Sequence, residues 1–102
     1  MTEITWDEEA RCELNCSALY LAKRGGKDLG ERFLKQVEAA IAPAGTDPVR
    51  YRKFRKDARK VRVEHFPYHV VYWHDEASFS IHIVAIAHAS REPEYWQERM
   101  SG

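Results

Sequence analysis

The stretch "SIHIVAIAHASREPEYW" (residues 80–96) decides the fold. Residues 80–88 contain no glycine or proline and are mostly isoleucine, valine and alanine, a length and composition that suit a strand. Strict alternation assigns Ile81, Ile83, Ala85 and Ala87 to one face and His82, Val84, Ile86 and His88 to the other. Both faces are apolar in the middle, whereas an antiparallel sheet with one wet face should be polar on it. Both faces must therefore be covered, the second by the C-terminal segment or by another protein. Pro93 should stop the strand, because it lacks a ladder donor and biases Glu92 towards extended backbone. Arg91 is then expected to project from the sheet edge, with Tyr95 and Trp96 folding back over the sheet and Trp96 largely buried.

Upstream, "VRVEHF" (61–66) and "HVVYWHD" (69–75) are also strand-like and meet at Pro67-Tyr68, so a three-stranded antiparallel meander is predicted. Before it come two helical patterns. Trp6, Ala10, Leu14, Ala18 and Leu21 make one apolar stripe, with Thr5 and Glu8 spaced as a capping box and Gly25-Gly26 as the stop. Leu29, Phe33, Val37, Ala40 and Ile41 make a second stripe, begun by Asp28 with Glu31 and ended by Pro43. Residues 43–56 read as a loop. The expected fold is α+β, an N-terminal helical hairpin packed on a three- to four-stranded antiparallel sheet, in a single domain spanning 1–102.

The chain has 102 residues, 44% of them hydrophobic and 31% charged, as in ordinary globular domains. No segment approaches the ~20 apolar residues of a membrane helix, and the start lacks signal-peptide character, so a cytoplasmic protein without membrane association is expected. Cys12 and Cys16 fit free thiols in a reducing compartment. The net charge of zero conceals a basic block at 50–62, with eight of the sixteen Lys and Arg residues against Asp57 alone. Acids gather at the start, Glu3, Asp7, Glu8, Glu9 and Glu13, and near the end. The block reads as an anion-binding surface or a dock for an acidic partner segment.

Three stretches, "DLGERFLKQVEAAI" (28–41), "VRVEHFPYHVVYW" (61–73) and "IVAIAHASREPEYW" (83–96), carry a resemblance to the RelE/ParE superfamily of type II toxin–antitoxin toxins, in particular its ParE-like (plasmid stabilisation) branch. The Arg-x-Pro-x-x-Trp ending, Arg91 to Trp96, is the most specific part. Relatives usually open with a clear β-strand, whereas "MTEIT" offers few extended residues, so a first strand here should be short or irregular. The resemblance implies a toxin neutralised by a cognate antitoxin protein, reaching operator DNA only through that antitoxin. It also implies one of two activities: ParE-type inhibition of DNA gyrase, or RelE-type cleavage of messenger RNA on the ribosome. A third reading is an inactive member that only binds its antitoxin.

RNA cleavage by 2′-OH attack needs a proton acceptor, a proton donor and cations around the phosphate. Arg62, His88, Arg91 and Tyr95 are the candidates, against structural readings: an Arg62–Glu64 pair, a hydrogen-bonded His88, and Arg91 paired with Glu92 or Glu94. For partner binding the candidates are Arg52, Arg55, Arg59, Arg62, Arg91 and Trp96. Metal binding is not expected: His69 and His74 fall on opposite faces of one strand, and His82 and His88, on one face, lie ~20 Å apart. No cofactor is implied, since no Gly-rich phosphate loop, nucleophile elbow or paired carboxylates are present. Overall neutrality would oppose a large RNA partner, which favours a gyrase-directed toxin over a nuclease.

Overall fold

The computed structural model describes residues 2–92 and 95–100. The elements follow in the order β1 (Glu3–Trp6), α1 (Glu8–Gly25), α2 (Lys27–Thr46), β2 (Lys53–Arg55), β3 (Ala58–Arg62), β4 (Tyr68–Asp75) and β5 (Ser80–His88), with a closing 3-10 turn, Gln97–Met100. The sheet has five strands in the order β1-β5-β4-β3-β2, one or two more than expected. Strands β2 to β5 are antiparallel neighbours, and β1 joins β5 in parallel, pairing Ile4 with Ile81 and Trp6 with Ile83.

The start of α1 differs from its predicted capping box. Asp7 is the N-cap, accepting from the Glu9 and Ala10 amides at 2.8 and 3.4 Å. Thr5 instead lies in β1, its hydroxyl 2.7 Å from His82 Nδ1. The Asp7 amide also donates to Ile83 O at 2.9 Å, so one residue ends the strand and begins the helix. At the other end, Gly26 at φ 97° both stops α1 and precedes α2, which has no side-chain cap; the Asp28–Glu31 box does not form. The hairpin is tight because a methyl group on Gly30 would stand 2.8 Å from Ala18 O.

Pro43 does not end α2, which continues to Thr46. Tertiary packing holds the extra turn, since Ala44 and Gly45 are buried and Gly45 lies against Ile4 of β1. The expected loop over 43–56 is thus divided between this last helical turn, a short connection and β2.

One core lies between the helices and the sheet. Phe33 of α2 meets Phe66 edge-on at 5.2 Å and Tyr68 at 4.8 Å, with Val37, Val70, Tyr72, Ile81, Ile83 and Ile86 around them. The second core is on the sheet's outer face: Ala58, Val71, Val84 and Ala85 under Trp96, which is 3% exposed. The C-terminal segment therefore covers the doubly apolar sheet. The simple alternation in β5 does not hold, because Tyr72 pairs with Ile83 while Val71 pairs with Ala85, leaving Val84 as a bulge. Past the bulge the phase flips. Ile86 joins Ile81 and Ile83 on the helix side, whereas Val84 and Ala85 face outward. His82 and His88 also part company: His82 rings against Trp73 and His88 against Tyr68. The role expected of Pro93 concerns a residue outside those described.

What seats the C-terminal turn is Glu13 of α1. Its carboxylate accepts from Tyr95 Oη at 2.8 Å, from both Arg99 guanidinium nitrogens at 3.0 and 3.1 Å, and from the Ile86 amide at 3.0 Å. Arg99 also donates to Val84 O at 3.1 Å and pairs with Glu9 at 2.9 Å. Trp96→Ala is expected to cost ~3 kcal/mol or more, from a lost core aromatic, and Glu13→Ala about 2–3 kcal/mol, from removing the acceptor that Arg99, Tyr95 and the Ile86 amide share. In urea unfolding the double variant should lose less than the sum, because both changes release the same turn; strict additivity would show that the two are not coupled.

Candidate functional site

The outer face of the sheet holds an open cleft of ≈270 Å³ between β3, β4, the end of β5 and the C-terminal segment. Its walls combine Lys60, His69 and Arg91 with the aromatic rings of Phe54, Tyr95 and Trp96. Alternation on β3 sends Val61 to the core and Lys60 to the cleft, where its ammonium lies 4.8 Å from the Phe54 ring. Phe54 in turn meets Trp96 edge-on at 5.6 Å. Arg91 stacks its guanidinium 3.9 Å from the Tyr95 ring and is exposed.

Of the four catalytic candidates, the structure brings His88, Arg91 and Tyr95 to this cleft. Two of these are committed elsewhere. The Tyr95 hydroxyl donates to Glu13, and burial, followed by that hydrogen bond and the Glu13 charge, pushes the phenol well above its ordinary range. It cannot serve as a base near neutral pH. His88 Nδ1 accepts from the Ser90 amide at 2.9 Å and lies 2.7 Å from the Ser90 hydroxyl, while its ring meets Tyr68 edge-on at 4.9 Å. An amide N–H can only be accepted by an unprotonated nitrogen, so in the neutral ring the proton sits on Nε2.

Arg62, the fourth, is exposed at the end of β3 and is the cross-strand partner of His69. His69 and Lys60 went unassigned in the sequence reading, yet they supply the most distinctive chemistry here. Partial burial lowers the His69 pKa, and the charges of Lys60 and then Arg62 lower it further. The imidazole is neutral at pH 7, a proton acceptor between two cations. The sequence signal was insufficient: a hairpin centred on Pro67 would set Arg62 opposite Tyr72, whereas the observed register sets it opposite His69.

The partner-binding candidates separate. Arg52 and Arg55 are exposed, and Arg55 borders a hollow with Trp96, Gln97 and Met100. Arg59 turns inward: its Nη1 donates to Tyr51 O at 2.6 Å, and its Nε is buried without a hydrogen-bond partner. Its cross-strand neighbour Tyr72 donates to Pro48 O at 2.9 Å and is pushed up to about 12, chiefly by burial. Arg59 and Tyr72 thus brace the 47–52 connection. Trp96 is buried as the lid of the outer core. Lys53 pairs with Asp57 at 3.2 Å. The basic block is therefore not one surface.

Among the described residues, no group of three or more His, Cys, Asp or Glu side chains could hold a metal ion, and no helix is long and apolar enough to cross a membrane.

The family described as "ParE toxin of type II toxin-antitoxin system, parDE" matches residues 4–93. No curated protein sequence is a match. The fold is similar to that in the chromosomal ParDE toxin–antitoxin system from P. aeruginosa, at a TM-score of 0.76 and 13% identity over 88% of this chain and 98% of that one. It is also similar to the isolated E. coli RelE toxin, with a TM-score of 0.62 and 16% identity over 96% of this chain and 95% of that one. A RelE variant bound to an antitoxin RelBc peptide gives 0.61 and 16%, covering 95% and 92%. At such identities the likeness is one of fold.

In an NMR titration the His69 ring should show a midpoint below 6.5, and Lys60→Ala or Arg62→Ala should move it upward. A midpoint at or above 6.5 in the parent would mean that neither burial nor the two cations acts on this ring.

Proposed function

The chain belongs to the ParE toxin family of type II toxin–antitoxin systems, and on that premise we propose that it inhibits DNA gyrase in the cytoplasm and is neutralised by a cognate antitoxin. The observation that carries this reading is the commitment of Tyr95 and His88 to structural hydrogen bonds. What remains at the rim is a cationic, aromatic docking surface, Lys60 and Arg91 beside Phe54, rather than a free acid–base pair. A protein target suits such a surface, because charge complementarity and stacked rings give affinity without any group having to transfer a proton.

A second reading, RelE-type cleavage of messenger RNA on the ribosome, is favoured by His69 alone. A neutral imidazole flanked by two cations could take the 2′-OH proton while Lys60 and Arg62 hold the phosphate. The leaving 5′-oxygen would need a proton, for which the Nε2–H of His88 is the available donor.

Induction in cells separates the two. The gyrase reading expects altered supercoiling and double-strand breaks, undiminished in His69→Gln and His88→Gln. Loss of inhibition in His69→Gln, together with mapped A-site cleavage by the parent, would replace it with the nuclease. Arg91→Ala is expected to reduce toxicity while changing stability by no more than ~0.5 kcal/mol, as is usual for an exposed site.

The antitoxin should bring acids and spaced aliphatic residues to the exposed cations. Reversing Arg52 and Arg55 to Glu, which spares the Arg59 brace, is expected to weaken antitoxin binding by more than about tenfold. An unchanged dissociation constant would place the antitoxin elsewhere.

A further inference from the structure

Tyr95 and Arg91 differ sharply although they touch: the tyrosine is tied to the fold, and the arginine beside it is not. The Tyr95 hydroxyl donates to Glu13 of α1 at 2.8 Å, and its ring lies 5.2 Å from the Arg99 guanidinium. The charge of Arg99 is taken up by Glu13 and Glu9, at 3.0 and 2.9 Å. Arg91 lies 3.9 Å from the same ring, yet it is exposed, and among the described residues no carboxylate pairs with it.

A long cation loose at a rim samples many rotamers, and ordering it on binding costs affinity. Stacking removes part of that cost beforehand. Because the guanidinium is planar, the ring takes its face and leaves the N–H groups along its edge free to donate. Those donors form a fork that matches the two oxygens of a carboxylate. The Tyr95 hydroxyl strengthens the stack, since donating to the Glu13 carboxylate shifts electron density onto the ring and deepens its negative face.

We infer that Tyr95, its ring fixed through Glu13, is a positioning residue that presents Arg91 edge-on as a fork for an aspartate or glutamate side chain of the target protein. The inference rests on the reading of the cleft as a protein-docking surface and adds which group of the partner it takes. Size points the same way. At ≈270 Å³ the cleft is below the ~300–1,000 Å³ of small-molecule sites, so it suits side chains inserted from a partner surface rather than a separate ligand. Phe54 and Trp96, which line it with Arg91, supply the apolar contact that keeps water from such a pair. Glu92 on the same wall, and a net charge of zero for the whole chain, disfavour an RNA backbone there.

The test compares the intracellular toxin level that halves growth, measured by immunoblot, across variants that separate charge, fork and ring. Arg91→Lys keeps the charge but has neither the planar face nor the fork, and should need about tenfold more toxin. Tyr95→Phe keeps the ring and should stay within about twofold of the parent. Tyr95→Leu loses the same hydroxyl and the ring as well, so its further loss of about two- to fivefold measures the stack. In an Arg91→Ala background that further loss should vanish. In the parent, the Arg91 Nε–H proton should resonate upfield of the exposed Arg52 signal through the ring current, a shift kept by Tyr95→Phe and lost in Tyr95→Leu.

Full potency in Arg91→Lys would overturn the proposal, as would an equal effect of Tyr95→Leu with and without Arg91, or a parental Arg91 signal at the Arg52 position. The gyrase reading has its own arm. If the growth and NMR results hold while purified gyrase supercoils normally in the presence of the toxin, the target is another protein and the fork stands. If the same ranking appears instead in mapped messenger cleavage, the oxyanion is a phosphate and the carboxylate assignment falls.

Discussion

The carboxylate of Glu13 is the point on which the two halves of the molecule depend. Strand β1 pairs with β5 only as far as Asp7, where the chain turns into α1. Beyond that, the edge of β5 from Val84 onward would face outward with unpaired amides and carbonyls. Glu13 takes the Ile86 amide and Arg99 takes the Val84 carbonyl, so two side chains replace the missing strand. The same pair clamps the C-terminal turn. Glu13 and Arg99 are 17% and 13% exposed, and such a pair is costly to desolvate unless further hydrogen bonds satisfy it. Here those bonds come from Tyr95, the backbone of β5 and Glu9.

From that clamp the outer face follows. With Arg99 and Tyr95 held, Trp96 lies over Ala58, Val71, Val84 and Ala85 and removes the last apolar patch of the sheet from water. The bulge at Val84 is what makes a lid possible. It turns Ile86 into the inner core and leaves small residues, Ala85 and Ala87, outward, giving the indole a shallow bed. Beside the lid the strands run out into the cleft, where alternate residues of β3 and β4 place Lys60 and His69 together. The floor of the cleft is thus structural and its rim cationic.

This arrangement divides residues that look alike in composition. Arg59 braces a connection, Arg91 stacks on Tyr95 in solvent, and Arg99 is sealed under the helix, although all three are arginines of the same charged chain. Tyr95 is similarly drawn into structure, its hydroxyl held by Glu13. A side chain's chemistry on this face is set by what surrounds it. His69 shows the same principle in reverse, an ordinary histidine made a neutral acceptor by partial burial and two neighbouring cations.

The sequence by itself determined the two amphipathic helices, their tight hairpin, strands β4 and β5 and the burial of Trp96, whereas the strand read at 61–66 lies at Ala58–Arg62. These rest on local periodicity, on glycine's freedom at Gly26 and on the excess of apolar surface in β5, all of which act over a few residues. Its motifs also identified the toxin family. Tertiary structure alone decided the helix start at Asp7 rather than Thr5, the continuation of α2 through Pro43, the flip of phase at Val84 and the pairing of β1 with β5. In each case a contact between distant residues outweighs a local preference: Thr5 is drawn to His82, Ala44 and Gly45 are buried with Gly45 against Ile4 of β1, and β4 pairs across a bulge. The candidate site divided along the same line. Arg91 and Tyr95 stood out because they cluster in the chain. His69, Lys60 and the role of Glu13 did not, because strand register and a contact spanning more than eighty residues bring them to their places.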